Sequence, residues 1–79
     1  MILEVRAPEA NDEVAEATIL SWMKQHGDHV NAGEVLCEIE FGKTMIEVEA
    51  ETSGILCIVV SAGTMVPASE LIGTISTDG

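Results

Sequence analysis

The sequence predicts an all-β domain whose two similar halves pack together as a quasi-two-fold sandwich or flattened barrel. Apolar and polar residues alternate through several short runs, and this alternation has the period of a half-buried strand. Val, Ile and Thr are plentiful, aromatic residues make up only 3% of the chain, and no helical periodicity is sustained. Because β-branched residues favour strands, these features together indicate an all-β fold.

An internal repeat predicts the symmetry. A shift of 36 positions places Gly27 on Gly63, and a shift of 43 positions places Leu3 on Ile46. The difference between the two shifts is seven residues, an insertion in the first-half loop around residues 8–14. The matching segments are residues 27–30 with 63–66, 19–20 with 55–56, and 3–7 with 46–50. Each half alone would expose an apolar face, which the two halves bury together.

Turn formers divide the chain into eight predicted strands. Gly, Pro, Asn, Asp and Ser cluster at residues 8–13, 25–28, 31–33, 52–54 and 61–63. The strands between them are residues 2–7, 16–24, a short one at Val30, 35–41, 45–50, 55–60, a short one at Val66, and 71–76. The nearly continuous apolar run 55–60 suits a strand in the core. The alternation around Trp22 leaves the burial of that side chain ambiguous.

A predicted β-hairpin over residues 35–50 presents a lysine at its tip. Two alternating runs meet at Gly42 and Lys43, and a two-residue loop that begins with glycine fits a type II′ turn. Lysine is scarce, since Lys24, Lys43 and Arg6 are the only Lys and Arg residues. A single lysine at a tight tip, with carboxylates around it, offers one amine to a modifying enzyme.

Length and charge exclude several classes of protein. The 79 residues make one small domain, residues 1–79, with a net charge of −11. Nucleic-acid binding is excluded because it needs clusters of Lys and Arg. No run of eighteen apolar residues predicts a membrane span, and no signal-like segment begins the chain. The acidity itself has two interpretations, solubility alone or selection of basic partner surfaces.

The other chemistry-bearing residues predict no catalysis. Cys37 and Cys57 lie in apolar runs without a Cys-x-x-Cys spacing, so we expect small buried thiols in a reducing compartment. His26 and His29 flank a Gly-Asp turn without a third ligand nearby, which predicts solvated turn histidines and no metal site. No Ser/His/Asp set and no phosphate-binding glycine loop occurs in the sequence.

A set of residues spread over nearly the whole chain carries a family resemblance: Pro8, Val14, Ala15, Glu16, Thr18, Ile19, Trp22, Gly27, Asp28, Val30, Gly33, Leu36, Glu38, Ile39, Glu40, Lys43, Val48, Glu49, Ala50, Ser53, Gly54, Gly63, Val66 and Pro67. With these residues the chain resembles the lipoyl domain of the dihydrolipoamide acyltransferase (E2) component of 2-oxo acid dehydrogenase complexes. The resemblance implies two four-stranded antiparallel sheets related by a quasi-dyad, with lipoic acid in amide linkage on Lys43. It also implies that Glu40 takes part in recognition by the lipoylating enzyme.

The function implied by this resemblance is carriage and not catalysis. The lipoyl arm would shuttle acyl groups and reducing equivalents between a decarboxylase (E1), the acyltransferase (E2) core and dihydrolipoamide dehydrogenase (E3). A lipoate ligase or lipoyltransferase would attach it. The isolated domain is expected to be a monomer. A bacterial cytoplasm is the expected location, with the mitochondrial matrix as the alternative.

The surface beside the arm is expected to decide which decarboxylase acts. The candidate recognition residues are Glu9, Asp12, Glu13, Glu40, Phe41, Gly42 and Thr44. Phe41 also has a simpler interpretation, packing at the end of the barrel.

Two alternative functions remain open at this stage. The tip departs from the family pattern, because Gly42 stands where Asp is usual and Thr44 where Ala or Val is frequent. A biotinyl carboxyl-carrier domain has the same fold, although its lysine typically lies between two Met residues. An unmodified lipoyl-like module used only for assembly is the other alternative.

Overall fold

All regular secondary structure in the described part of the chain, residues 1–8 and 16–77 of the computed structural model, is β-strand. The strands are β1 (Ile2–Arg6), β2 (Glu16–Trp22), β3 (His29–Val30), β4 (Val35–Phe41), β5 (Thr44–Glu49), β6 (Gly54–Ile58), β7 (Met65–Pro67) and β8 (Leu71–Ser76). The predicted bounds of β4 and β8 are confirmed, and the others differ by at most two residues at an end. Within the same residues, no helix is long and apolar enough to span a membrane.

The strands form two four-stranded antiparallel sheets that confirm the predicted flattened sandwich. Sheet A has the strand order β1-β8-β6-β3, and sheet B has the order β5-β4-β2-β7. A rotation that exchanges β1 with β5, β8 with β4, β6 with β2 and β3 with β7 converts one order into the other. This exchange is the quasi-two-fold relation that the sequence repeat predicts.

The register confirms the 43-residue shift. Val5 pairs with Gly73 in sheet A, and Val48 pairs with Cys37 in sheet B. Val48 is the equivalent of Val5 by the 43-residue shift, and Gly73 is the equivalent of Cys37 by the 36-residue shift. A register shift follows in both pairs of strands, between Val5 and Arg6 in one and between Val35 and Cys37 in the other. The two halves therefore repeat even the irregularities of their backbones.

The 36-residue shift is correct for most of the repeat and wrong by one residue in β2. Ile19 pairs with Ile39, and Leu56 pairs with Ile75, so Ile19 corresponds to Leu56 and not to Ile55. The cause is the bulge between Ile19 and Ser21, which adds Leu20 to the first half. A bulge of one extra residue does not show in the hydrophobic pattern when that residue is itself apolar.

The core lies between the two sheets and contains no polar side chain among the described residues. Its buried members are Val5, Ala7, Ala17, Ile19, Val30, Leu36, Cys37, Ile39, Ala50, Leu56, Val66, Ile72 and Ile75. Trp22 packs against this core half-buried, and its Nε1 donates a hydrogen bond of 2.9 Å to the carbonyl oxygen of Val60. The indole thus places its apolar ring inward while its N–H is satisfied.

The prediction that the run 55–60 forms a core strand is correct for alternate residues only, since Leu56, Ile58 and Val60 pack on the core. Only Leu56 in β6 is buried, whereas Ile55 is 44% exposed and Cys57 is exposed too. Sheet A has one face on the core and one face in solvent, so alternate residues of β6 must point outward whatever their polarity.

The chain termini and the β4–β5 turn occupy equivalent positions in the two halves. Phe41 pairs with Thr44 across the turn. In the same way, the backbone N–H of Thr77 donates a hydrogen bond of 2.8 Å to the carbonyl oxygen of Met1. The quasi-dyad exchanges these two sites, so Met1 and Thr77 lie together at the end of the molecule away from the turn.

Candidate functional site

The tip of the β4–β5 hairpin holds Lys43 in a tight turn. Regular pairing continues up to Phe41 and Thr44, which leaves Gly42 and Lys43 as the two loop residues. Gly42 has a φ of 67°, and Lys43 is not among the described non-glycine residues with a positive φ. A positive φ at the first loop position alone matches the predicted type II′ turn. The sequence therefore predicted both the site of the turn and the position that needs glycine.

The amine of Lys43 is exposed, and no described carboxylate lies within ion-pair distance of it. The other cationic side chains have partners. Lys24 is 29% exposed and lies 3.3 Å from Glu34, and Arg6 lies 2.9 Å from Glu4. Among residues 1–8 and 16–77, Lys43 is thus the one Lys or Arg side chain without a side-chain partner.

The residues beside the turn divide between the two faces of sheet B. Phe41 pairs with Ala17, is half-buried and packs against the core, which fits its interpretation as packing at the end of the sandwich. Glu40 points outward, pairing with Thr18 on one side and Met45 on the other. Thr44 is exposed at the start of β5. The predicted recognition residues at the tip therefore have different surroundings.

Three further predicted recognition residues, Glu9, Asp12 and Glu13, lie outside the described residues. The chain enters β2 at Glu16, one residue beyond the Ala17 to Phe41 pair and so at the tip end of sheet B. The recognition role of Glu9, Asp12 and Glu13 stays a prediction.

The two cysteines have different environments, which corrects the prediction that both are buried. Cys37 is fully buried, and burial raises the pKa of its thiol to about 12 because the thiolate would lose its hydration. Cys57 is exposed because it lies on the outer face of sheet A. Cys37 takes an inward position of β4, whereas Cys57 takes an outward position of β6.

The histidines form no metal site in the part of the chain that the structure describes, where no group of three or more metal-ligating side chains occurs. His26 is more than the solvated residue that the sequence predicts. Its Nδ1 accepts a hydrogen bond of 2.9 Å from the backbone N–H of Ile58. The imidazole thus ties the Gly27 turn to β6, which is a structural role.

Comparison with known proteins identifies the family and the fold. Residues 3–75 match the biotin/lipoyl family model, described as biotin-requiring enzyme. This chain belongs to the biotin/lipoyl family. The chain is also similar to a structure solved in solution, the lipoyl domain of the 2-oxoglutarate dehydrogenase complex from Azotobacter vinelandii. This biotin/lipoyl domain is 32% identical to that structure, with a TM-score of 0.84, and the match covers 98% of this chain and 99% of the other.

Curated relatives of the domain are components of 2-oxo acid dehydrogenase complexes. The dihydrolipoyllysine-residue succinyltransferase of the 2-oxoglutarate dehydrogenase complex from Bacillus subtilis is 45% identical over 92% of this chain. The corresponding Cupriavidus necator protein is 42% identical over 98%. The dihydrolipoyllysine-residue acetyltransferase of the pyruvate dehydrogenase complex from Rickettsia conorii is 38% identical over the whole chain. The chain spans only 18 to 20% of the length of these three relatives.

The geometry of the biotin/lipoyl domain suits covalent attachment of a carboxylic acid cofactor. An amide bond to a lysine requires an accessible Nζ atom that is not held in an ion pair. Lys43 meets this requirement within the described structure, whereas Lys24 donates its hydrogen bond to Glu34 at 3.3 Å. The residues present therefore fit the group that the family implies.

Proposed function

We propose that this chain is a lipoyl carrier domain and that Lys43 is the residue to which lipoic acid is attached. The observation that carries the proposal is the placement of Lys43, exposed on a two-residue turn without an ion pair to any described residue. A carrier needs its arm on a rigid support that does not compete for the arm. The β4–β5 hairpin supplies that support because both of its strands belong to sheet B, and Phe41 anchors the tip on the core.

Lipoic acid is preferred over biotin on two grounds. The relatives cited above are named as dihydrolipoyllysine enzymes, and the matching solved structure is a lipoyl domain. Gly42 and Thr44, the residues on either side of Lys43, also lack the Met pair typical of biotinyl domains. A biotinyl carrier thus becomes the alternative outcome of the test.

When bound, the lipoyl group supplies a dithiolane that accepts acyl groups and electrons. The chain itself positions the arm and presents the surface by which partners recognise the domain. Amide formation removes the charge of Lys43, which takes the formal net charge from −11 to one unit more negative. Attachment therefore leaves an uncharged arm above an acidic hairpin, and the surface of the domain carries the signal that partners read.

The proposed partners are a lipoate ligase or lipoyltransferase, a decarboxylase (E1), an acyltransferase (E2) core and dihydrolipoamide dehydrogenase (E3). The named relatives belong to complexes for 2-oxoglutarate and for pyruvate, so the proposed decarboxylase is one that acts on a 2-oxo acid. In this proposal the chain itself is not catalytic. A bacterial cytoplasm stays a prediction from the sequence.

The quasi-dyad supports the carrier role mechanically. Met1 and Thr77 lie at the end away from Lys43, so a longer parent chain would be tethered near them. Seven residues of extended chain separate Lys43 from Ala50, a span of about 23 Å. The tip is thereby held clear of any tether.

The experiment compares two conservative variants, Lys43→Arg and Lys24→Arg, each loaded by a lipoate ligase and then offered to a 2-oxo acid decarboxylase. The Lys24→Arg chain should be lipoylated and acylated like the original chain, and the Lys43→Arg chain should receive neither group. Acylation of the Lys43→Arg chain would contradict the proposal. An assembly module without modification predicts instead that Lys43→Arg leaves the activity of the parent complex intact.

A further inference from the structure

The outer face of sheet B carries a row of side chains that crosses all four of its strands. Met45 on β5 pairs with Glu40 on β4, Glu40 pairs with Thr18 on β2, and Thr18 pairs with Met65 on β7. The two methionines at the ends of the row are 61% and 59% exposed. We call this row, together with Glu38 and Glu47 beside it, the sheet B face.

The distance between the two methionines of the sheet B face follows from the interval between neighbouring strands. Three strand-to-strand intervals separate Met45 from Met65, which is a distance of about 14 Å. The Glu40 carboxylate lies between them. A protein that covers this face must therefore offer two apolar contacts about 14 Å apart with a polar or charged group between them.

The carboxylates of this face repel one another in the free domain. Glu38 and Glu47 lie directly opposite each other across β4 and β5. Like charges at directly opposite positions destabilise a pair of strands. No described cation forms an ion pair with Glu38 or Glu47, since Arg6 is paired with Glu4, Lys24 is paired with Glu34, and Lys43 makes no ion pair with a described residue. A cationic group supplied from outside would remove this repulsion.

The quasi-dyad provides an internal comparison, because sheet A presents the equivalent face. There the row is Ile2, Ser76, Ile55 and His29. Thr74 takes the place of Glu38, and Glu4 takes the place of Glu47. Glu4 lies 2.9 Å from Arg6, so its charge is balanced. Two carboxylates thus lie directly opposite each other on sheet B, whereas the equivalent pair on sheet A has one carboxylate, Glu4, opposite Thr74.

The sheet B face is also the face that lies next to Lys43. The pair of Glu40 and Met45 is adjacent to the pair of Phe41 and Thr44, which closes the turn around Lys43. An enzyme that receives the arm in its active site lies beside this row. Sheet A has the chain termini at the equivalent place.

We propose that the sheet B face is the surface on which the decarboxylase docks, through Lys or Arg side chains that meet Glu38, Glu40 and Glu47. Met45 and Met65 fill apolar sites on either side of that contact. Methionine suits such a surface because its flexible side chain adapts to the partner. This proposal rests on the proposed carrier function, and it adds a surface that selects the enzyme by charge.

The test measures the free domain and the complex separately for the double variant Glu38→Gln/Glu47→Gln. The control is Glu51→Gln/Glu70→Gln, which changes the charge equally at exposed positions off the face. We expect the face variant to melt at a higher temperature than the original chain because the repulsion is removed. Its kcat/KM as a lipoylated substrate of the decarboxylase should fall about tenfold, chiefly through KM, and should lose most of its dependence on salt.

Two further measurements make the outcome decisive. Titration calorimetry of the unlipoylated chains with the decarboxylase should show weaker binding for the face variant and unchanged binding for the control. Met45→Ser should weaken binding as well, while Ile2→Ser at the equivalent position of sheet A should not.

Equal kcat/KM for the face variant and the control would overturn the proposal. Slower lipoylation of the face variant with unchanged acylation would overturn it too, because that result would assign the face to the ligase. Failure of the decarboxylase to acylate even the original lipoylated chain would contradict the carrier function instead.

Discussion

Lys24 donates a hydrogen bond of 3.3 Å from its Nζ atom to Oε2 of Glu34. The other oxygen of this carboxylate accepts a hydrogen bond of 2.7 Å from the backbone N–H of Asn31. One of the two lysines of the chain is therefore part of a structural contact that closes the loop before β4. This arrangement makes Lys24 a natural control for Lys43, because the two differ in their contacts and not in their chemistry.

The contact at Glu34 predicts a dependence of stability on pH. The Asn31 N–H, followed by the Lys24 amine, holds the pKa of the Glu34 carboxyl below its usual value of 4.5. Since the folded pKa is depressed, the contribution of Glu34 is present above pH 4.5 and is lost as pH falls through the folded pKa. Glu34→Gln should therefore lower the melting temperature at pH 7, and the difference should shrink in acid. The control is Glu70→Gln, which removes one negative charge at an exposed position.

Gly42 is predicted to determine how Lys43 is presented. Its φ of 67° is one that side chains with a Cβ adopt reluctantly, at a cost of about 1–2 kcal/mol. Gly42→Ala should therefore lower stability and also slow lipoylation, because the turn shifts toward another type. Gly63→Ala, with a φ of 88° and no atom within 4 Å of the added Cβ, is the matched control. It should lose similar stability and keep the original rate of lipoylation, whereas equal lipoylation of both variants would refute a positioning role for Gly42.

Gly54 is predicted to be required for a different reason, the close approach of β6 to β8. A Cβ atom at this position would collide with the carbonyl oxygen of Ser76 and lie 2.8 Å from Cγ2 of Ile75. Backbone cannot give way as a side chain does, so Gly54→Ala should cost about 1–3 kcal/mol through overpacking. Urea denaturation checks this value. A loss smaller than that of Gly63→Ala would show that the sheet relaxes around the methyl group.

These glycines show what a sequence does and does not predict. The pair Gly42-Lys43 between two alternating runs predicts the turn, because a tight hairpin requires a positive φ at a defined position. The requirement at Gly54 arises from β8, which is distant in sequence. Leu20 was assigned to the wrong repeat position because an apolar bulge residue resembles a core residue. The pairing of Glu38 with Glu47 needed only the hairpin register, and the alternation around Gly42 already contained that signal.

The cysteines are predicted to differ sharply in reactivity. Cys37 is buried with its pKa raised to about 12, and Cys57 is exposed on β6. Iodoacetamide should alkylate Cys57 alone in the native chain and both cysteines in denaturant, as measured by intact mass. Rapid alkylation of Cys37 in the native chain would show that the core opens between the sheets.

Cys37 also predicts a loss of stability in alkali. Its folded pKa is raised from 9.0, so the unfolded chain releases the proton first as pH rises. The contribution is present below pH 9.0 and is lost as pH rises toward about 12. Within that window, this thiol lowers the free energy of unfolding by up to about 1.4 kcal/mol for each pH unit. In urea denaturation at a series of pH values, Cys37→Ala should reduce the fall in the free energy of unfolding in alkali. An unchanged fall would show that other groups cause it.

The central claim is that Lys43 alone is the attachment site, and intact mass with peptide mapping tests it most directly. The original chain would be produced with a lipoate ligase and, separately, with a biotin ligase. We expect one lipoyl group, located on the peptide that contains Lys43, an unmodified Lys24, and no reaction with the biotin ligase. A biotin adduct on Lys43 would make the protein a carboxyl carrier. A lipoyl group on Lys24, or no adduct from either ligase, would contradict the account.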